Sequence, residues 1–290
     1  MKRDFFSRFG GGVGHALFPV DEAAEWIKEE FPREQDSWRR FKRVVYALYL
    51  RQLQRQLKGE YAGFVWLLVE PLIMIILFTL MHTVIRGSSS SSYDIIVFMG
   101  SGMVPFFLFR TILTSSLRVF KQNRPLYHYP QIKPFDAFIA NAFFESSLYA
   151  VVTLILLLLA FLIGVDIIPQ NFDGVMVGIL WLILFGMSWG LLLGVLGHFY
   201  EVIIKFVSFL SLPLLILSAV FFPLDTLPPV ARKWLLYNPL VHFMEWIHGS
   251  YLATLDTRYV DFSYMFEWTV IPLFLGLWLY NKSERKFIDS

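Results

Sequence analysis

"GVMVGILWLILFGMSWGLLLGVLG", residues 174–197, decides the fold. It runs for 24 residues without a charged side chain. As a helix it rises about 36 Å, at ~1.5 Å per residue, enough to cross the ~30 Å hydrocarbon core of a bilayer. No charged face is left for water, so the stretch reads as a membrane span and not as a surface helix.

Five more apolar runs flank it, at about 62–85, 94–118, 136–164, 203–222 and 262–280. Composition agrees. Apolar types make up 56% and charged types 17%, against roughly 25% charged in a soluble domain. Thirty phenylalanines and nine tryptophans exceed what one soluble core of 290 residues would hold, and the mean hydropathy is +0.56. The fold expected is an all-α membrane protein with six transmembrane helices. There is no cysteine, which excludes disulfides, thiol catalysis and Cys-ligated metals.

Residues 1–37 lack the apolar core of a signal peptide and mix both charge signs. They read as a retained N-terminal extension, with "GGGVG" at 10–14 as a tether and "DEAAEWIKEEF" as a short acidic helix. Counted with the amino terminus in the cytosol, the inside segments hold nineteen Lys and Arg and the outside segments four. The positive-inside rule therefore places both termini in the cytosol.

Before the first span, residues 38–60 place Phe41, Val44, Val45 and Leu48 on one side and Arg39, Arg40, Lys42, Arg43, Arg51 and Arg55 on the others. That is a basic amphipathic helix suited to the headgroup layer, or alternatively to a partner's surface. The serine run at 88–92 reads as a spacer. The segment 223–261 is too apolar for a solvated loop and too rich in Pro and charge for a span. It reads as re-entrant, with a half-helix over about 213–222, a turn at 223–229, and short helices at about 229–237 and 239–251. Such broken backbone is tolerated at membrane depth only inside protein or beside a water-filled cavity.

No G-x-x-x-x-G-K-[ST], H-E-x-x-H or nucleophile elbow is present. The six histidines are scattered; His242 and His248 straddle Glu245 without metal-ligand spacing. No catalytic, cofactor or metal site is expected on this chain. Charges inside spans point to function by default, because burying one costs several kcal/mol. Arg110 either lines a polar pathway for an anionic substrate or pairs internally with Glu70 or Glu145. Aromatic faces stack on sugar rings, so Tyr46, Tyr49, Phe106, Phe107 and Trp181 are candidate lining for a glycan route, or ordinary packing and interface anchors.

"YAGFVWLLVEPL" at the first span, the proline-bracketed "KQNRPLYHYPQIKP" at 121–134, and "FFPLDTLPPVARKWLLYNPLVHFMEWIHGSY" before the last span occur in one order. Over about residues 38–285 this resembles the ABC-2-type permeases. More narrowly it resembles the membrane subunit of capsular polysaccharide exporters, the KpsM-like branch, with O-antigen exporters as near relatives. The resemblance makes 61–285 the transmembrane domain and 281–290 a cytosolic tail. It implies a homodimer around a central pathway and two separate ATPase subunits that bind ATP and Mg. It also implies periplasmic co-polymerase-like and outer-membrane partners, and a lipid-linked acidic polysaccharide as substrate. No nucleic-acid partner is expected. The missing P-loop fits a motor on another chain.

The resemblance places ATPase coupling on 121–134, with Lys121, Arg124, Pro125, Tyr127, His128, Tyr129 and Pro130 as candidates. Its prolines stiffen a short turn, and Tyr127, His128 and Tyr129 form a compact amphipathic knob. The periplasmic gate falls on 223–251, where Asp225, Pro228, Pro229, Asn238 and Pro239 set turns and Glu245 lies within. The same fold could instead export O-antigen, teichoic acid or a small drug. A passive channel, and a membrane-embedded lipid- or glycan-modifying enzyme built on Glu245, His242 and His248, are the readings from other classes.

Overall fold

The computed structural model describes residues 37–59, 61–86 and 95–289. The tether, the acidic helix and the serine run lie outside the described residues. Among the described residues there are nine α-helices and no strand. They are α1 (Ser37–Gly59), α2 (Tyr61–Arg86), α3 (Ile95–Gln122), α4 (Pro134–Leu162), α5 (Phe172–Phe199), α6 (Glu201–Ile216), α7 (Pro229–Leu235), α8 (Pro239–Tyr251) and α9 (Phe262–Asp289). Two 3-10 turns, Arg124–His128 and Leu224–Thr226, interrupt the connections.

The chain divides into two units, 1–42 and 43–290. In the described part of the first, Trp38 stacks on Phe41 and Lys42 lies over the Trp38 ring. Everything below concerns the second.

Among the described residues, four helices are long and apolar enough to cross a membrane: α3, α4, α5 and the Phe262–Glu284 part of α9. In α2 the apolar stretch is Val69–Met81. With 16 residues, α6 rises about 24 Å, short of a ~30 Å layer. The outward faces of α4, α6 and α9 carry Leu154, Phe161, Phe206, Phe209, Phe274 and Trp278 exposed. Water would not tolerate that much apolar surface; lipid does.

The middle of the molecule is α3, packed on α4, α5, α6 and α8. Its Phe98, Met103, Phe106, Phe107 and Ile112 are almost wholly buried. Phe109 stacks on Phe185 of α5 at 5.4 Å, and Phe185 meets Phe243 of α8 at 4.9 Å. This aromatic column is the core.

Glycines on α5 set how closely α3 approaches. Gly186, Gly190 and Gly194 recur one turn apart on the face toward α3. A Cβ at Gly190 would lie 2.8 Å from Ser116 Oγ, and one at Gly194 would lie 2.7 Å from the Ser116 carbonyl oxygen. Small residues at such spacing let helix backbones touch where no hydrophobic effect drives association.

Two boundaries differ from expectation. The helix expected to run to 222 ends at Ile216. Ser218 Oγ donates to the Leu214 carbonyl, Ala219 adopts a left-handed φ of 57°, and Asn238 donates to the Leu217 carbonyl at 2.9 Å. These contacts stabilise a tight turn over a further helical turn. At the other end, α9 continues through the expected tail to Asp289, because Phe287 finds a fully buried slot.

Candidate functional site

Three places carry the chemistry: the turn between α3 and α4, the charge pair in α2 and α3, and the folded connection between α6 and α9.

The turn at 121–134 contains a 3-10 segment, Arg124–His128, with Pro125 at its first positions. Lys121 pairs with Glu201, the first residue of α6, at 2.8 Å. That contact holds the Glu201 carboxyl below its usual range. Arg124, Pro125, His128 and Pro130 are exposed, and Tyr129 is half-buried. Tyr127 is not part of an outward knob. It is 3% exposed, and burial, then Tyr280, pushes its hydroxyl up. Its oxygen has no partner among the described residues. The ring was drawn inward by its apolar body, and the knob reduces to His128 with Tyr129 beside it.

Beneath the turn lies an aromatic bed from four elements. Phe120 stacks on Phe287 at 4.9 Å and on Phe138 at 6.3 Å. His198 meets Phe287 at 4.7 Å. The Tyr280 hydroxyl accepts from the Phe135 amide at 3.2 Å and donates to Glu284 at 3.3 Å. Tyr280, Glu284 and Phe287 were not anticipated. Their signal was an i, i+4, i+7 stripe continuing past the end of the last apolar run.

Arg110 forms an ion pair with Glu70. It donates to Glu70 at 2.7 Å, with both side chains partly exposed, and its guanidinium lies 5.7 Å from the Phe107 ring centre. Glu145 is buried in α4. Phe106 and Phe107, expected as lining, are 1% exposed and belong to the core, so they offer no face to a solute. Trp181 donates to Thr269 Oγ1 at 3.1 Å and packs edge-on against Phe243 and Trp246. The Tyr49 hydroxyl is shared with Ser147 at 2.9 Å, whereas Tyr46 is 59% exposed.

In the connection, Pro228 caps α7 and Pro229 is its first residue. Asn238 and Pro239 do the same for α8, with Asn238 Oδ1 accepting from the Leu240 amide at 3.1 Å. Arg232 was missed from the sequence. It donates to the carbonyls of Leu224 and Leu227 at 3.0 Å each and to the Tyr259 hydroxyl. Arg258 pairs with Asp225, and both guanidiniums lie 4.8 Å from the Tyr259 ring centre. The result is a clasp that closes the bend before α7 onto the entrance of α9.

Glu245 is 5% exposed; burial first, then the Asp225 charge, pushes its carboxyl up to about 7. His242 Nε2 meets the Leu236 carbonyl at 3.0 Å, and its Nδ1 accepts from the Asp261 amide at 3.1 Å. His248 is buried face to face with Phe98 at 4.2 Å. Each of the three is occupied by separate packing, and no group of three metal-ligating side chains occurs among the described residues.

Comparison with known proteins bears on what these places serve. Residues 43–252 match the family model for ABC-2 type transporters. The polysialic acid transport protein KpsM of Escherichia coli is 30% identical over 85% of this chain and 96% of its own. The capsule polysaccharide export inner-membrane proteins CtrC of Neisseria meningitidis and BexB of Haemophilus influenzae are each 25% identical, over 81% of this chain and 89% of theirs. A match of that reach, on a chain whose described residues form helices and no strand and include several helices of bilayer length, places the protein in the ABC-2 type transporter family.

Proposed function

We propose that the chain is the permease subunit of an ATP-driven exporter that moves a lipid-linked acidic capsular polysaccharide across the inner membrane. The observation that carries this reading is the similarity to capsule-export proteins along more than four-fifths of the chain. In this reading the protein is a homodimer with six spans per chain and both termini in the cytosol. The apolar run through α6 and the turn after it supply the fifth span. The polymer route lies between two copies, because one tightly packed core leaves no width for it. Arg110, Trp181, Tyr46 and Tyr49 are its candidate lining.

Two ATPase subunits dock at 121–134, where His128, Arg124 and Tyr129 meet them and Lys121 passes the motion to α6. ATP and Mg belong to those subunits. The connection with Asp225, Pro228, Pro229, Asn238, Pro239 and Glu245 is the periplasmic gate. Periplasmic and outer-membrane export proteins continue the route.

The test is capsule on the surface of a permease-deletion strain. Capsule restored by this chain together with its ATPase, and not by either alone, supports the reading. Restoration of O-antigen and not capsule would reassign the substrate, and polymer export persisting without ATP would make it a channel.

A further inference from the structure

A small cleft lies where α1 passes the end of α3 and the first turns of α4. Its walls are Leu48, Arg51, Gln52 and Arg55 from α1, Asn123 after α3, and Ala137 and Ala140 from α4. The two alanines keep the α4 wall low.

The polar groups there are unevenly matched. Arg51 donates to Asn123 Oδ1 at 3.3 Å, and Gln52 donates to Asn141 Oδ1 at 2.9 Å. Asn123 and Asn141 in turn donate to the Val119 carbonyl and to Ser115. The amide acceptors are therefore taken, while most of Arg51's donors and all of Arg55's lack partners among the described residues. Neither guanidinium pairs with a carboxylate there. The acid on the first turn of α4, Asp136, accepts from the Lys133 amide and closes its own helix. Arg51 and Arg55 are one helical turn apart, a like-charge spacing that works against a helix unless something answers it. Arg51 is half-buried, so water answers it only in part.

We propose that this cleft binds one phosphate-type oxyanion, the phosphodiester of an anionic lipid headgroup. Two forks of N–H donors match phosphate oxygens in geometry as well as in charge. The cleft lies at the ends of two bilayer-length helices, the depth at which headgroups sit. The site is built, because three elements converge on it. It is not a smear of basic residues along one helix. The inference holds whatever solute the protein exports.

The test uses the full-length chain in detergent, titrated with phosphatidylglycerol and read by native mass spectrometry. One tightly retained lipid per chain is expected. R51Q/R55Q should weaken it by about tenfold or more, equivalent to ~1.4 kcal/mol. K205Q/K282Q, which removes the same charge at exposed positions that do not line the cleft, should change it by less than about twofold. Arg55 is exposed, so R55Q alone keeps the fold and should still cost about threefold. Inorganic phosphate should compete with the lipid. Equal losses from the two double variants would overturn the proposal in favour of diffuse surface attraction. Phosphate binding through the arginines, with lipid retention indifferent to them, would overturn the lipid assignment.

Discussion

Replacing Gly194 by alanine tests the packing argument most directly. The added Cβ would stand 2.7 Å from the Ser116 carbonyl oxygen, about 0.7 Å inside ordinary contact. A backbone oxygen held inside α3 cannot rotate away, so the two helices must part. A gap of 0.5–1 Å forfeits roughly a quarter to a half of each dispersion contact across the seam. Overpacking of this kind costs about 1–3 kcal/mol, and the better helix propensity of alanine returns up to about 1 kcal/mol. A net loss of about 1–2 kcal/mol is expected. G190A meets a different obstacle, Ser116 Oγ at 2.8 Å and Ser116 Cβ at 2.9 Å. S116G removes both atoms, so it should rescue G190A. It leaves the carbonyl in place, so it should not rescue G194A. Gly100 has nothing within 4 Å, and G100A should be neutral or stabilising. Thermal unfolding of the purified variants in one detergent measures all four. A G194A protein as stable as the parent, or rescue of G194A by S116G, would refute the close-approach reasoning.

Glu245 gives a pH prediction. Its folded pKa of about 7 lies above the ordinary carboxylate value, so the folded state holds the proton more tightly. Stability from this group is full at acid pH and falls as pH rises between about 4.5 and 7, by roughly 3 kcal/mol; E245Q should flatten that slope in pH-dependent melting. Y127F should leave stability unchanged or raised, since the hydroxyl it removes is unpartnered, whereas Y127A should cost about 3–5 kcal/mol by emptying a buried slot; urea unfolding separates them. H128A should fold normally and lower export in the ATPase complex, and export equal to the parent's would move the coupling contact elsewhere. R110A should cost about 1–2 kcal/mol by stranding Glu70, discounted for partial exposure, and E70R/R110E should restore the fold. If export stays lost in that folded swap, the sign of charge at 110 matters to the solute.

Membrane helices were legible because a run such as 174–197 has one physical reading. So was the short stiff turn at 121–134, since three prolines leave little else. The limits of the helices were harder. Period and hydropathy do not show that Ala219 turns left-handed, or that Asn238, twenty-one residues on, ties the end of α6. Side-chain direction was harder again. Phe106 and Phe107 look alike as lining or as core until the packed helices are seen to bury them. Tyr127 is amphipathic and could face either way; its hydroxyl lost to the apolar surroundings of its ring. The charge of Arg110 was visible, but its choice of Glu70 over Glu145 depends on how α2 lies beside α3. The glycine period on α5 was present in the letters and masked by the apolar reading of the same residues.

The turn at 121–134 and the clasp around Tyr259 are held by different kinds of contact. At the turn end, aromatic rings from α3, α4, α5 and α9 share one bed, and Lys121 ties in α6. If the proposed ATPase contact lies there, a push meets packed rings and not a solvated loop. The glycine seam then joins α3 to α5 along their length, and α8 packs on both. Displacement should therefore reach the far end as rigid-body motion of α3, α5 and α8. There the structure changes character. The clasp around Tyr259 consists of hydrogen bonds and ion pairs with exposed members, which can exchange partners with water at small cost. In the proposed reading of 223–251 as a gate, a polar, breakable closure at that end is what opening would require. R232M should loosen the far end alone: faster amide exchange across 224–236, with unchanged exchange at 121–134. Loosening at both ends would mean that the clasp is part of the core and not a closure upon it.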